Sequence, residues 1–412
     1  MKARNIMIAA ALAALTLLVA GCKKHSFFRI VPGEQIRFRA ESRSNSSNVG
    51  TRTVYSGEYF AAESGGDYLE RIDWVEGDMI SIGYVSFGGP DGLCADVDHY
   101  RVSGVTADGQ YSKATLAPTG GPYGVDGEGW GGNGLQWRNN TQHRFLATHP
   151  AVDTEDEDFK FEINAGAGQL EVLVPYRYPE TQVPVGTEEK QITFCGSTAT
   201  ATVYKPDMSY AYLFCNPFDY SQPHGTYPDE FIPTGSEIKL PVVPHFTAFE
   251  ITAAAKEGDS FTLNSVTLSS ADEDRPLTGT YIFQRIEDDE NPDGERWTDV
   301  PKEGEVSYQA KINFSDLTLT GDSPVVFTYL LNSWYSFTML TLTFNITKDN
   351  VTFNRSLKLK YANDNWIWFS SSWKHRIKNL RVPVSLELGT LWYASDGAGN
   401  YLDGGDPFDG EI

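Results

Sequence analysis

Cysteine is scarce in this 412-residue sequence: only Cys22, Cys94, Cys195 and Cys215 occur, and no Cys-x-x-Cys spacing is present. That excludes the common zinc and dithiol motifs. Gly-x-Ser-x-Gly, His-Glu-x-x-His and the glycine-rich phosphate loop are also missing, and with them the usual hydrolase, metalloprotease and nucleotide-binding signatures. Histidine is sparse at seven residues; His143 and His149 lie nearest one another without a metal-ligand spacing. Two carboxylates facing across a cleft could serve a glycosidase, but no spacing supports such a pair. The expectation is a non-enzyme without cofactor or metal. Positive charge is short as well. Thirty-three Lys and Arg stand against 55 Asp and Glu, a formal net charge of −22, which repels nucleic acid and anionic lipid surfaces.

Long hydrophobic runs are lacking but for one. Lys2 and Arg4 precede an apolar stretch over residues 6–20, followed by Val19-Ala20-Gly21-Cys22. The stretch is shorter than the roughly 20 residues that span a bilayer, and its small-residue ending marks processing. The pattern is a lipobox: residues 1–21 form a signal peptide, and Cys22 receives lipid on its thiol. Removing Lys2 and Arg4 takes the charge from −22 to −24. Several acyl chains on one residue anchor stably where one chain is marginal. With Cys22 lipidated, Cys94, Cys195 and Cys215 remain, so one internal disulfide at most can form. Cys195 and Cys215 end two strand-like runs and are the candidate pair.

Helical periodicity is almost absent, whereas period-two alternation recurs. Leu340, Leu342, Phe344 and Ile346 alternate with polar residues, Lys348-Asp349-Asn350 reads as a turn, and Val351, Phe353, Leu357 and Leu359 return. Alternation buries one face and wets the other. Further strands are expected at 35–40, 79–85, 145–148, 170–174, 192–194, 248–252, 261–268, 325–331 and 377–386. So many short strands with Gly, Asp, Pro and Asn connections predict an all-β fold built of sandwiches. Residues 119–140, glycine-rich with Trp130 and Trp137, read as a loop, as do the acidic residues 153–158 and 287–302. Proline, glycine and acid cluster at 222–235, a plausible domain boundary. The expected parts are a lipidated segment at 22–53, domains at 54–235 and 236–388, and a Gly/Asp-rich tail at 389–412.

The segment behind Cys22 is informative. Residues 35–40 form one strand with Ile36, Phe38 and Ala40 on a shared face. A Ser/Asn-rich stretch follows, carrying Arg43 and Arg52. Polar segments of this kind are where proteases cut. A cut would separate anchor and first strand from the rest, exposing an edge that another chain's strand could fill. An ordinary flexible tether would have the same composition.

Three passages resemble the fimbrillin family, the subunits of Bacteroidales type V pili. Thr51-Arg52-Thr53 followed by Trp74-Val75-Glu76-Gly77-Asp78-Met79-Ile80-Ser81-Ile82 is similar to that family's opening. Physically, Glu76-Gly77-Asp78 is a turn, Trp74 caps the core, and Ile80 and Ile82 start a buried strand. Phe145-Leu146-Ala147-Thr148-His149-Pro150 resembles a family strand end. Leu240-Pro241-Val242-Val243-Pro244-His245-Phe246-Thr247-Ala248-Phe249-Glu250-Ile251 resembles the strand opening the second domain. His245, alone between apolar residues, reads as a core or interface group.

The resemblance implies two transthyretin-like, Greek-key β-sandwich domains in tandem and export through the periplasm to the outer membrane and cell surface as a lipoprotein. It further implies cutting by an Arg-specific protease, after Arg43 or Arg52, and strand exchange with other fimbrial subunits. The tail at 389–412 contains Leu391, Trp392, Tyr393, Tyr401, Leu402 and Phe408 without sustained alternation, which makes a poor donor strand. A tip or accessory subunit is therefore expected rather than a stalk subunit. The alternative is a non-polymerising outer-membrane lipoprotein that binds surface glycans. Trp130 with Trp137, or Trp366, Trp368 and Trp373, would then form the stacking platform; the bland reading has them packing the core. Asp403, Asp406, Asp409 and Glu411 lack a calcium-loop spacing.

Overall fold

The computed structural model describes residues 33, 35–43, 54–61, 68–108, 111–119, 134–140, 142–152, 161–166, 169–215, 237–287, 295–332, 336–361, 367–368, 374–384 and 390–395. Among them the chain is all-β, with one 3-10 turn at Met208–Tyr210. The reason is visible strand by strand. Leu340–Lys348 alternates buried and half-buried residues along its length, and its hairpin partner Val351–Tyr361 pairs with it in register from Leu340↔Leu359 to Lys348↔Val351. Asp349 and Asn350 between them take φ of 51° and 64°. Two left-handed residues are what a two-residue hairpin turn matching the strand twist requires.

Seven strands close into a barrel. Around the ring, Arg37–Arg43 is followed by Glu237–Pro244, Leu213–Cys215, Gln142–His149, Met79–Phe87, Cys94–Asp108 and Tyr111–Pro118, which returns to Arg37–Arg43. Closure removes sheet edges. The chain-first strand is thus a stave with neighbours on both sides, parallel to Glu237–Pro244 and antiparallel to Tyr111–Pro118. A four-stranded sheet of Glu295–Ser307, Thr278–Glu287, Gln169–Tyr178 and Glu162–Gly166 adds Val172, Val174, Tyr176 and Phe283 to the barrel's hydrophobic cluster.

Beyond the barrel lie two larger sheets. One orders Gly186–Phe194, Ser197–Lys205, Val325–Asn332, Phe246–Ala255 and Lys374–Val382. The other orders Thr181–Gln182, Gln309–Thr320, Ser260–Ser270, Leu340–Lys348, Val351–Tyr361 and Thr390–Ser395. Apolar residues of both, among them Ile251, Phe327, Leu263, Ile312 and Leu342, form a second core. Val325–Asn332 is buried at every position, as expected of an inner strand covered on both faces.

Several expectations change in detail. The first strand runs to Arg43 and not to Ala40. Residues 295–302, expected in an acidic loop, belong to the Glu295–Ser307 strand, because Thr278–Glu287 lies alongside and supplies its ladder. The strand expected over 377–386 is Lys374–Val382, ending where Pro383 offers no N–H. Thr390–Ser395, within the tail, is a strand parallel to Val351–Tyr361. The boundary expected at 222–235 lies outside the described residues. The chain crosses between barrel and sandwich more than once: Gly186–Phe194 and Ser197–Lys205 already lie in a sandwich sheet, Leu213–Cys215 and Glu237–Pro244 return to the barrel, and Phe246–Ala255 enters the sandwich again after His245.

Candidate functional site

The first stave is built to fill a slot. Alternation aims Ile36, Phe38, Ala40 and Ser42 inward, and all four are fully buried. The Phe38 ring sits edge-on to Tyr100 at 5.2 Å and to Phe145 at 5.3 Å. The Ser42 hydroxyl donates to the Ile72 carbonyl at 2.6 Å, so even the polar side chain at the stave's inner end is satisfied. Outward residues are charged: Lys239 on the neighbouring strand pairs with Glu41 at 2.9 Å. Burying Phe38 and Ile36 contributes roughly 1.5–3 kcal/mol each. The slot is lined by strands distant in sequence, with Tyr100 on Cys94–Asp108 and Phe145 on Gln142–His149 against the Phe38 ring.

A short strap, residues 134–140, lies beside the stave's first residues. The Ile36 amide donates to the Leu135 carbonyl at 2.8 Å, and the Gly33 amide to the Trp137 carbonyl at 2.9 Å. Barrel side chains hold the strap from its other side. Asp98 accepts from the Gly134 amide at 2.9 Å and the Tyr100 hydroxyl from the Leu135 amide at 2.7 Å. Burial pushes the Asp98 carboxyl up to about 6, against the pull of the His99 and Gly134 amides. At the strap's far end, His143 Nε2 faces the Asn140 carbonyl at 2.9 Å and Nδ1 faces the Tyr84 hydroxyl at 2.7 Å. Burial holds His143 below the ordinary imidazole range. The neutral ring then donates from Nε2 and accepts the Tyr84 proton at Nδ1.

Trp137 is buried in this strap and meets Tyr84, His143 and Phe145 edge-on. Trp74 and Trp137, the two tryptophans whose side chains are described, are both buried. The bland reading holds for Trp137, which offers no stacking surface. Trp368 lies in the short Ile367–Trp368 strand paired with Ser336–Phe337. Trp130, Trp366, Trp373, Cys22 and Arg52 lie outside the described residues. Arg43 is the last residue of the first stave, opposite Tyr111.

Cys195 and Cys215 are not joined. Cys215 is buried in the barrel, whereas Cys195 sits exposed at a hairpin tip, its amide held by Asn379 at 2.6 Å. Among the described residues no three metal-ligating side chains converge. His245 is a buried core group, stacked on Phe214 at 4.2 Å and bonded to Asp299 at 2.8 Å. The Trp74 motif folds as read: Asp78 accepts from the Val75 amide at 3.0 Å, Gly77 turns at φ 93°, and Ile80 and Ile82 are buried. The strap is the feature that sequence reasoning missed. Its signal would have been Leu135 and Trp137 alternating at the end of a glycine-rich stretch.

No family model and no curated protein matches the chain. Solved structures give loose likenesses. A provisionally assigned cell adhesion protein of Bacteroides fragilis is 12% identical, over 88% of this chain and 95% of that one, at a TM-score of 0.36. One of the same description from Bacteroides uniformis is 12% identical over 87% and 94%, also at 0.36. The tip fimbrial protein Mfa3 of Porphyromonas gingivalis, truncated at its C-terminus, is 8% identical over 79% and 82%, at 0.24.

Proposed function

We propose that the chain is a structural and adhesive subunit of a cell-surface fimbria, exported as a lipoprotein through Cys22 and assembled by strand exchange. The observation that carries this reading is the first stave. It is the earliest described strand of the chain, it completes a ring otherwise made of later strands, and its inward side chains are buried without exception. Removing it would leave two strands with unpaired amides flanking an apolar slot, the template for another chain's strand. The two cores then correspond to two Greek-key sandwich domains of the transthyretin-like kind, the first closed on itself by the exchangeable strand.

Arg43 and Arg52 are the proposed cleavage positions for an Arg-specific protease. A protease needs several residues of extended, unpaired chain, and Arg43 is still in register with Tyr111. Cutting after Arg43 would therefore require that pairing to open first. The tail supports a tip or accessory place: Thr390–Ser395 already occupies the edge of its own sheet, so serving as a donor would cost that pairing. N-terminal analysis of the protein recovered from cells tests the reading. A start at Thr53 or Ser44 is expected; an intact lipidated Cys22 in every assembled copy would sink it.

A further inference from the structure

The strap stands between the first stave and the rest of the barrel in a particular way. Its backbone carbonyls at Leu135 and Trp137 hold the stave's leading residues, Ile36 and Gly33, and Gln35 bridges Gln136. Its backbone amides at Gly134 and Leu135 are gripped by two buried side chains, Asp98 and Tyr100. Tyr100 is also the ring against which Phe38 packs. The far end is fastened separately, by Asp91 to the Asn139 amide at 2.7 Å and by Asp96 to the Arg138 guanidinium at 2.6 Å. Both ends of the strap are thus bonded to barrel side chains, and Leu135 and Trp137 also bond the stave.

Gly134 fits this part. Its φ is 85°, and a Cβ there would come within 2.5 Å of Gln35 Nε2 and 2.8 Å of Pro118 Cγ. The strap, the stave and the Tyr111–Pro118 strand therefore converge on a residue that must lack a side chain. Along the Arg37–Arg43 ladder the stave is held by strands fixed in the ring. At residues 33–36 its backbone bonds at Gly33 and Ile36 run to the strap.

We propose that residues 134–140 form a latch on the first stave, whose Gly134–Leu135 end must lift before that strand can leave its slot or another can enter. The latch controls the same exchange proposed above and rests on that reading. It makes Asp98, Tyr100 and Gly134 positioning residues for strand retention, although only Tyr100 touches an inward side chain of the stave. A strand coming into the slot would have to satisfy the Leu135 carbonyl or leave the strap open.

The test uses the full chain carrying a specific protease site placed between residues 43 and 54. After nicking, dissociation of the N-terminal fragment is followed by mass and by gel filtration, for wild type, Gly134→Ala and Tyr100→Phe. Tyr100→Phe keeps the ring on Phe38 and removes only the acceptor of the Leu135 amide, so folding is spared. Release at least tenfold faster in both variants is expected, with hydrogen exchange raised at Ile36 and Leu135 before it rises along residues 37–43. Release at the wild-type rate in a folded Tyr100→Phe protein overturns the latch. A nicked wild type whose fragment neither dissociates nor exchanges with a synthetic 33–43 peptide overturns the exchangeable strand itself.

Discussion

Phe38 has no alternative to the pocket it fills. Tyr100 and Phe145 meet its ring on two sides at just over 5 Å, and its exposure is 0%. Truncation to alanine leaves a cavity whose walls belong to hydrogen-bonded strands and cannot collapse freely. Phe38→Ala should cost about 3–5 kcal/mol in denaturant unfolding, whereas Arg37→Ala, on the exposed face, should change stability by less than about 0.5 kcal/mol. Equal effects would mean that the stave does not pack as described. Asp98 gives a second prediction at this scale. Burial raises its folded value from 3.8 to about 6, so between these values the folded protein holds a proton that the unfolded chain has released. Stability from this group grows as pH falls from about 6 to about 4, and above 6 the ionised form is a standing cost of up to about 3 kcal/mol. Asp96 adds to the upward push, and Arg138 is its salt-bridge partner. In Asp98→Asn that component vanishes, so the melting-temperature difference from wild type should change between pH 4 and 6 and stay flat outside. A difference independent of pH would refute the assignment.

At the scale of strands, the tail and the stave have opposite situations. Among the described residues, Thr390–Ser395 pairs with one strand, Val351–Tyr361, whereas Arg37–Arg43 pairs with two. Losing the former leaves a ring intact; losing the latter opens one. On the fimbrial reading proposed above, deletion of residues 389–412 should leave incorporation into a polymer unchanged, as judged by recovery of the chain in sheared surface fibres. Loss of incorporation would mean that the tail donates. What the sequence disclosed about these strands follows the same physics. The Leu340–Lys348 hairpin was readable because one face is wholly apolar and Asp349-Asn350 suits two left-handed residues. Ile36, Phe38 and Ala40 were readable for the same reason. Glu295–Ser307 was not, since its side chains are mostly polar and only its long ladder to Thr278–Glu287 defines it. The strap was hidden because it has no ladder of its own: Asp98 and Tyr100, some 35 residues away in sequence, fix its backbone.

For the whole molecule, His245 marks one of the crossings between barrel and sandwich. The chain leaves a barrel strand at Pro244 and starts a sandwich strand at Phe246, along which Phe246 and Ala248 still pack in the barrel's cluster and Phe249 in the second. Buried polar contacts reinforce the joint. Tyr178 donates to the His245 carbonyl at 2.8 Å, and Tyr176 donates to Asn332 at 3.1 Å. Asp299 reaches His245 from the four-stranded sheet. Buried groups of this kind are costly to leave half-made, so opening the joint should be nearly as unfavourable as unfolding a core. The wild-type protein should then melt in one calorimetric transition although it has two cores. Asp299→Ala removes the acceptor that faces His245 at the joint. It should cost about 1–3 kcal/mol and broaden the transition or split it, the barrel melting first. Two separate transitions in the wild type, or a uniformly shifted single transition in the variant, would mean that the cores are coupled by something other than these contacts. On the strand-exchange reading proposed above, the first result would also let the barrel exchange its stave independently of the sandwich, whereas a single transition would tie exchange in one half to the stability of the other.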